Sequence, residues 1–197
     1  MFTGLVTNIG TVSAFNASSK GAHIVVTHSI ENTEFVVSDS IACSGVCLTL
    51  INISSHSFSV EVSTETLATT NISQWSVGTK INLEPSLKLG DSIGGHLVLG
   101  HVDGVAGLIS RIKDGNSERL LIELNNDLAP YIAKKGSITI DGVSLTVNNI
   151  SLSEFDVNII PHTLATTTLK DVNVGALLNV EVDPIARYVN RMHEATK

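Results

Sequence analysis

The chain has 197 residues, 43% hydrophobic but only 4% aromatic, and a net charge of −7. That length suits two small domains of about 90–100 residues, each with enough apolar side chains for a core of its own. The acidic balance and the scarcity of aromatic rings argue against non-specific nucleic-acid binding, stacked base platforms and adhesion to anionic membrane.

In chain order, the N-terminus MFTGLVTNIG lacks the basic and apolar regions of a secretory signal. No apolar run approaches the roughly 20 residues that span a bilayer, so a soluble cytoplasmic protein is expected. Short segments rich in Val, Ile and Thr follow: AHIVVTH (22–28), EFVVS (34–38), CLTLINIS (47–54), FSVEV (58–62) and KINLE (80–84). Gly, Asn, Ser and Asp separate them, the pattern of an antiparallel sandwich or small barrel. Short helical turns are expected at TETLATT (64–70) and PHTLATT (161–167), and a broken one at NDLAPYIAK (126–134). After Asp183, Ile185, Tyr188, Val189 and Met192 fall at i, i+3, i+4, i+7 and predict a terminal helix.

The chain repeats itself. Displaced by 97 residues, SIACSGVCLTL (40–50) falls on SITIDGVSLTV (137–147), and TLATTNI (66–72) on TLATTTL (163–169). FSVEV and VGTKINLE (77–84) find FDVNI (155–159) and VGALLNVE (174–181) at the same displacement, while GLVTNIGTV (4–12) finds GHVDGVAGL (100–108) at 96. Five blocks in one order mean two domains of one fold. The stretch PSLKLGDSIGG between them suits a linker. Each copy reads as a closed six-stranded β-barrel, with domains at 1–87 and 96–184 and a terminal helix at 185–197.

Differences between the copies mark candidate chemistry. Strand alternation sends Val46, Leu48 and Leu50 to one face and Cys47 and Thr49 to the other, as it separates Val143, Leu145 and Val147 from Ser144 and Thr146. A thiol on the polar face is a functional hint, weighed evenly against a small thiol that merely packs. If Cys43 and Cys47 lie on one extended strand, they sit about 13 Å apart, too far for a disulfide. CxxxC without a second pair is a poor zinc signature, and no metal is expected. His96 and His101 most simply read as hydrogen-bonded surface or linker imidazoles. His101, however, replaces Leu5 of the first copy, so the fold does not demand it. Likewise Glu65 opposes His162, and Asp141 opposes Ser44, while Thr66 and Thr163 are shared.

The blocks MFTGLV, SGVCLTL, IGGHLVLGHVDG, KGSITIDGVSLTVN, IIPHTLATTTL and NVEVDPIARYV together resemble riboflavin synthase of the alpha-chain type, in the lumazine-binding superfamily. The resemblance runs from residue 1 to about residue 191. It implies an all-β fold of two tandem six-stranded Greek-key β-barrels plus a C-terminal α-helix that holds a homotrimer. It also implies a dismutation of two 6,7-dimethyl-8-ribityllumazine molecules to riboflavin and a ribitylamino-diaminopyrimidine, with no cofactor. Partners would be that lumazine, riboflavin and two further copies of the chain; association with lumazine synthase is left open.

The same resemblance assigns roles. His101 would be the base for the acidic C7 methyl, and Cys47 would attack C7 of the acceptor or position the water that does. Ser144, Ser40 and Thr146 match positions that hydrogen-bond substrate or water, and Asp183 matches an acidic residue near the site. Substrate contacts would come from Phe2, Gly4, Leu5, Val6, Leu48, Thr49, Glu61, Val62, Ser63, Thr64, Glu65, Thr66, Gly100 and Val102. In the second copy they would come from Lys135, Leu145, Asn158, Ile159, Ile160, Pro161, His162 and Thr163. Cys47 of one subunit would meet His101, Ser144 and Thr146 of a neighbour. The rival reading is a non-catalytic lumazine- or flavin-binding antenna of the same superfamily.

Overall fold

The computed structural model describes residues 1–30 and 35–196. Strands β1 (Asn8–Ser18), β2 (Gly21–Thr27), β3 (Ser40–Cys43), β4 (Val46–Ile53), β5 (Ser57–Val62) and β6 (Lys80–Pro85) close into an antiparallel barrel in the order β1-β2-β5-β4-β3-β6. Strands β7 (Gly104–Asp114), β8 (Ser117–Glu123), β9 (Ser137–Ile140), β10 (Val143–Ile150), β11 (Glu154–Ile159) and β12 (Leu177–Val182) repeat that Greek-key circuit as a second barrel. Period-two patterning builds each core: Ile24, Leu50, Phe58, Val60 and Leu83 fill the first, and Leu120, Ile122, Phe155, Val157 and Val180 the second. Each such side chain contributes about 1.5–3 kcal/mol on burial, and closure leaves no sheet edge unpaired. The repeat extends to the bends that permit closure. Register shifts lie between Val12 and Ala14 and between Leu108 and Ser110, and again after Leu50 and after Val147.

Two segments differ from the sequence-based expectation. EFVVS forms no strand: Val36 to Asp39 is a turn closed by Asp39 N–H to Val36 O and by the Asp39 carboxylate on Val36 N–H, both at 2.9 Å, with Glu34 outside the described residues. Cys43 and Cys47 lie on the two arms of a hairpin instead of on one strand, because Ser44 and Gly45 form a two-residue turn with φ of 43° and 84°. Both cysteines are free; Cys43 is buried in the first core, where burial and the neighbouring Cys47 push its thiol pKa up.

The barrels meet back to back at that turn and its repeat, Asp141–Gly142. A Cβ on Gly45 would stand 2.7 Å from Gly142 N, and one on Gly142 2.7 Å from Gly45 N. Paired bonds cross the seam with two-fold symmetry. Asn82 Nδ2 donates to Asp141 O at 2.8 Å, and Asn179 Nδ2 to Ser44 O at 2.9 Å. Thr168 N–H donates to Asn82 Oδ1 and Asn71 N–H to Asn179 Oδ1, both at 2.8 Å.

Three α-helices are found among the described residues, α1 (Thr64–Thr69), α2 (Pro161–Thr166) and α3 (Pro184–Ala195), with 3₁₀ turns at Asn71–Gln74 and Thr168–Lys170 following the first two. NDLAPYIAK yields a single 3₁₀ turn at Ala129–Tyr131, with Pro130 in its first turn. Helix α3 is capped by Asp183, whose carboxylate accepts from Ile185 N–H at 2.9 Å. It packs against the Ala129–Tyr131 turn. Its stripe of Ile185, Tyr188, Val189 and Met192 is 61–71% exposed. Among the described residues no helix is long and apolar enough to cross a membrane.

Candidate active site

The segments that lead into each barrel are exchanged. Residues 2–6 run across the start of β10, and residues 98–102 across the start of β4. Ser144 N–H donates to Gly4 O at 2.8 Å, and Cys47 N–H donates to Gly100 O at 2.9 Å. The approach is tight: a Cβ on Gly4 or Gly100 would come within 2.6 Å of the Cβ of Ser144 or Cys47 respectively. Two buried glutamates hold these segments. Glu84 accepts from Thr3 and Gly4 N–H at 2.7 and 3.0 Å, and Glu181 from Leu99 and Gly100 N–H at 2.8 and 3.0 Å. Burial raises both carboxyl pKa values against the lowering effect of those amides.

Exchange brings His101 to Cys47. A cavity of about 260 Å³ is lined by Val46, Cys47, Glu65, Thr66, Thr69, Thr70, Gly100, His101 and Val102. Thus Cys47 and His101 share a cavity within one chain, whereas the expectation brought His101 from a neighbouring subunit. Helix α1 supplies Glu65 and Thr66, its first turn fixed by Ser63 Oγ, which accepts from Thr66 N–H at 3.1 Å. Glu61, Val62 and Ser63 line a separate cavity of about 720 Å³ with Lys20 and His23. On the outer face of the hairpin, Ser40 pairs with Thr49 and Ala42 with Cys47. Leu48, Val62 and Ile159 turn their side chains into the barrel cores and have only their peptides to offer a ligand.

The equivalent ground on the second barrel is chemically different. Ser144 Oγ lies 2.7 Å from His96 Nδ1, and His96 Nε2 lies 3.2 Å from Thr139 Oγ1. Burial lowers the His96 pKa, with Asp183 pulling the other way. Among the described residues Cys47 has no such imidazole partner on its inner side, where it packs against the apolar cluster of Phe2, Ala42 and Val98. Phe2, completely buried, forms a backbone bridge to Val98 and belongs to the cluster that Cys47 packs against. Within one chain Ser144 and Thr146 do not line the Cys47 cavity, and Asp183 acts on His96 while capping α3.

The remaining candidates are spread over several elements. Leu5 is exposed, and Val6 packs on the second core. Ile160, Pro161, His162 and Thr163 form the N-terminal end of α2. Asn158 Oδ1, on β11, is buried with no protein partner among the described residues, a free acceptor. Lys135 occupies a left-handed turn (φ 67°) before β9, and Leu145 packs against the second core. The sequence reading treated His96 as a bystander. The signal lay in the spacing of the two histidines in GGHLVLGHVDG, which puts His96 five residues before His101.

Comparison with known proteins agrees with this architecture. A family model described as the lumazine binding domain matches residues 3–86 and again 99–183. The riboflavin synthase of Brucella abortus (strain 2308) is 43% identical, with 100% of both chains covered. That of Mycobacterium tuberculosis (strain ATCC 25618 / H37Rv) is 37% identical over 98% of each chain. In fold the chain is similar to LumP complexed with riboflavin (TM-score 0.86, 24% identity, 92% of this chain and 99% of that one). It is also similar to LumP complexed with 6,7-dimethyl-8-(1'-D-ribityl) lumazine (TM-score 0.84, 23% identity, same coverage). Two copies of the matched domain and full-length relatives above the 30% level place this chain in the riboflavin synthase family, built of paired lumazine-binding domains.

Proposed function

We propose that the protein is a soluble cytoplasmic riboflavin synthase, a transferase that moves a four-carbon unit between two molecules of 6,7-dimethyl-8-ribityllumazine. One molecule gains the carbons and becomes riboflavin; the other loses them and becomes 5-amino-6-ribitylamino-pyrimidinedione. Because the loss in one molecule equals the gain in the other, the reaction needs no external oxidant or reductant. A single observation carries the reading: two repeat-related positions on equivalent strands hold a thiol packed on an apolar cluster and a hydroxyl bonded to an imidazole. One substrate used in two roles requires two similar pockets with different chemistry.

The C7 methyl of the lumazine is acidic because its carbanion delocalises into the ring. His101, at the rim of the Cys47 cavity, accepts that proton. Cys47, or water that it orients, adds to the electrophilic C7 of the acceptor. Ser144 and His96 handle protons on the second barrel, with Thr146 and Ser40 as further hydrogen-bonding groups and Asp183 opposing the burial that lowers the His96 pKa. Asn158 offers its open amide oxygen to a ribityl hydroxyl. The apolar stripe on α3 joins three chains, which sets the first barrel of one against the second barrel of the next. Incubation with the lumazine alone tests the reading: riboflavin fluorescence supports it, and tight binding without turnover supports an antenna protein instead.

A further inference from the structure

The two repeat-related entry segments differ in how they are anchored after the glycine. In the first, Thr7 donates to the Leu83 carbonyl, by N–H at 3.0 Å and by hydroxyl at 3.3 Å. In the second, the place of Thr7 is taken by Asp103. Its Oδ2 accepts from Val182 N–H at 2.8 Å, and its Oδ1 accepts from Arg187 Nη2 at 2.8 Å. The same Nη2 reaches the His101 carbonyl at 3.5 Å, and the Nε of Arg187 is enclosed without a partner.

Two positions in one short stretch have therefore changed together, Leu5 to His101 and Thr7 to Asp103, and an arginine from outside the repeat serves both. We propose that Arg187 is a positioning residue for His101. A guanidinium presents donors in a rigid fork, so a single side chain can hold a carboxylate and a neighbouring carbonyl in fixed relation. Gripping the His101 carbonyl restrains the peptide that follows it, and with it the direction of the imidazole at the rim of the Cys47 cavity. The anchor is stiff, because Arg187 sits in the first turn of α3, which Asp183 caps. Small displacements of a base from its proton cost rate more than binding.

The inference rests on the role given to His101 above, and its test separates the two. Arg187→Met and Arg187→Lys are made in the full chain, alone and with His101→Gln. Lumazine turnover is followed alongside the ¹H–¹³C imidazole resonances, those of His101 being identified by their loss in His101→Gln. Arg187→Met lowers kcat by roughly tenfold or more with little change in KM, and it shifts the His101 resonances. Arg187→Lys keeps the charge but loses the fork, so it lowers kcat in the same direction and to a smaller extent, and Arg187→Met has no further effect once His101 is glutamine. An unmoved His101 resonance with kcat within about twofold of the parent overturns the inference, as does an equal loss with and without His101. If Arg187→Met unfolds, Asp103→Asn and Arg187→Lys are read by the same criteria. If the parent chain makes no riboflavin, the functional reading fails, while the resonance shift still decides the positioning role.

Discussion

Ser144 Oγ and His96 Nδ1 stand 2.7 Å apart on the second barrel, where the first barrel sets Cys47 against Phe2 and Ala42. The pair acts as one unit, so its losses do not multiply. Ser144→Ala and His96→Gln are each expected to lower kcat about 10- to 100-fold, and the double variant is no worse than Ser144→Ala. Steady-state kinetics of the three variants check this; multiplicative losses would mean that the two side chains act separately.

Cys47→Ser is expected to leave the fold intact, since Ser144 occupies the equivalent place on an equivalent strand. Turnover falls by about tenfold or more because a serine hydroxyl is a far weaker nucleophile at neutral pH. Kinetics with circular dichroism decide it, and undiminished turnover removes the thiol from the mechanism.

The stripe on α3 exposes four large apolar side chains along one face. Val189→Glu with Met192→Glu places charge on that face without touching Arg187. The expected result is a monomer by light scattering with unchanged far-UV circular dichroism. A trimer that survives both substitutions refutes the role of the helix.

Asp141 is buried at the barrel seam, its Oδ1 accepting from Asn71 Nδ2 at 3.2 Å and from Asn179 N–H at 2.8 Å. Burial pushes its pKa up from 3.8 to about 7. Between those values the folded chain holds a proton that the unfolded chain has released. The contribution to stability is therefore full below about pH 4 and is lost as pH rises through about 7. Asp141→Asn keeps the acceptor oxygen and removes the titration. Relative to the parent it gains on the order of 2 kcal/mol between pH 5 and pH 8. Thermal or urea unfolding at the two pH values measures the difference; an equal effect at both places the titration elsewhere.

Gly45 has φ of 84° and faces Gly142 across the seam with no room for a side chain. Gly45→Ala is expected to cost about 2 kcal/mol or more, from the left-handed backbone and from the contact. Urea unfolding reads the loss directly, and an unchanged midpoint would mean that the barrels can part without penalty.

The barrels were legible in the sequence because duplication prints the same alternation twice, and strands such as FSVEV and FDVNI confirm each other's register. EFVVS misled because its apolar run is a turn held by Asp39, an interaction between a side chain and the backbone that alternation does not record. The separation of Cys43 and Cys47 was misjudged for a related reason: Ser44 adopts a positive φ usually left to glycine, which hides the hairpin. The outward faces of Cys47 and Ser144 were predictable from strand period. The exchange of residues 98–102 onto β4 was not, since it depends on Glu181 and Gly100 meeting across the chain. His96 is not legible from strand period, since it lies outside the strands and meets Ser144 and Thr139 only through the fold.

The central claim is that two lumazines react with each other on this chain. The direct measurement is the stoichiometry of turnover by purified protein supplied with 6,7-dimethyl-8-ribityllumazine and nothing else, followed by absorbance and riboflavin fluorescence. The expected result is one riboflavin formed for every two lumazines consumed, with the ribitylaminopyrimidine appearing in equal amount to the riboflavin. Lumazine bound and retained unchanged, or riboflavin formed in any other proportion, would contradict it.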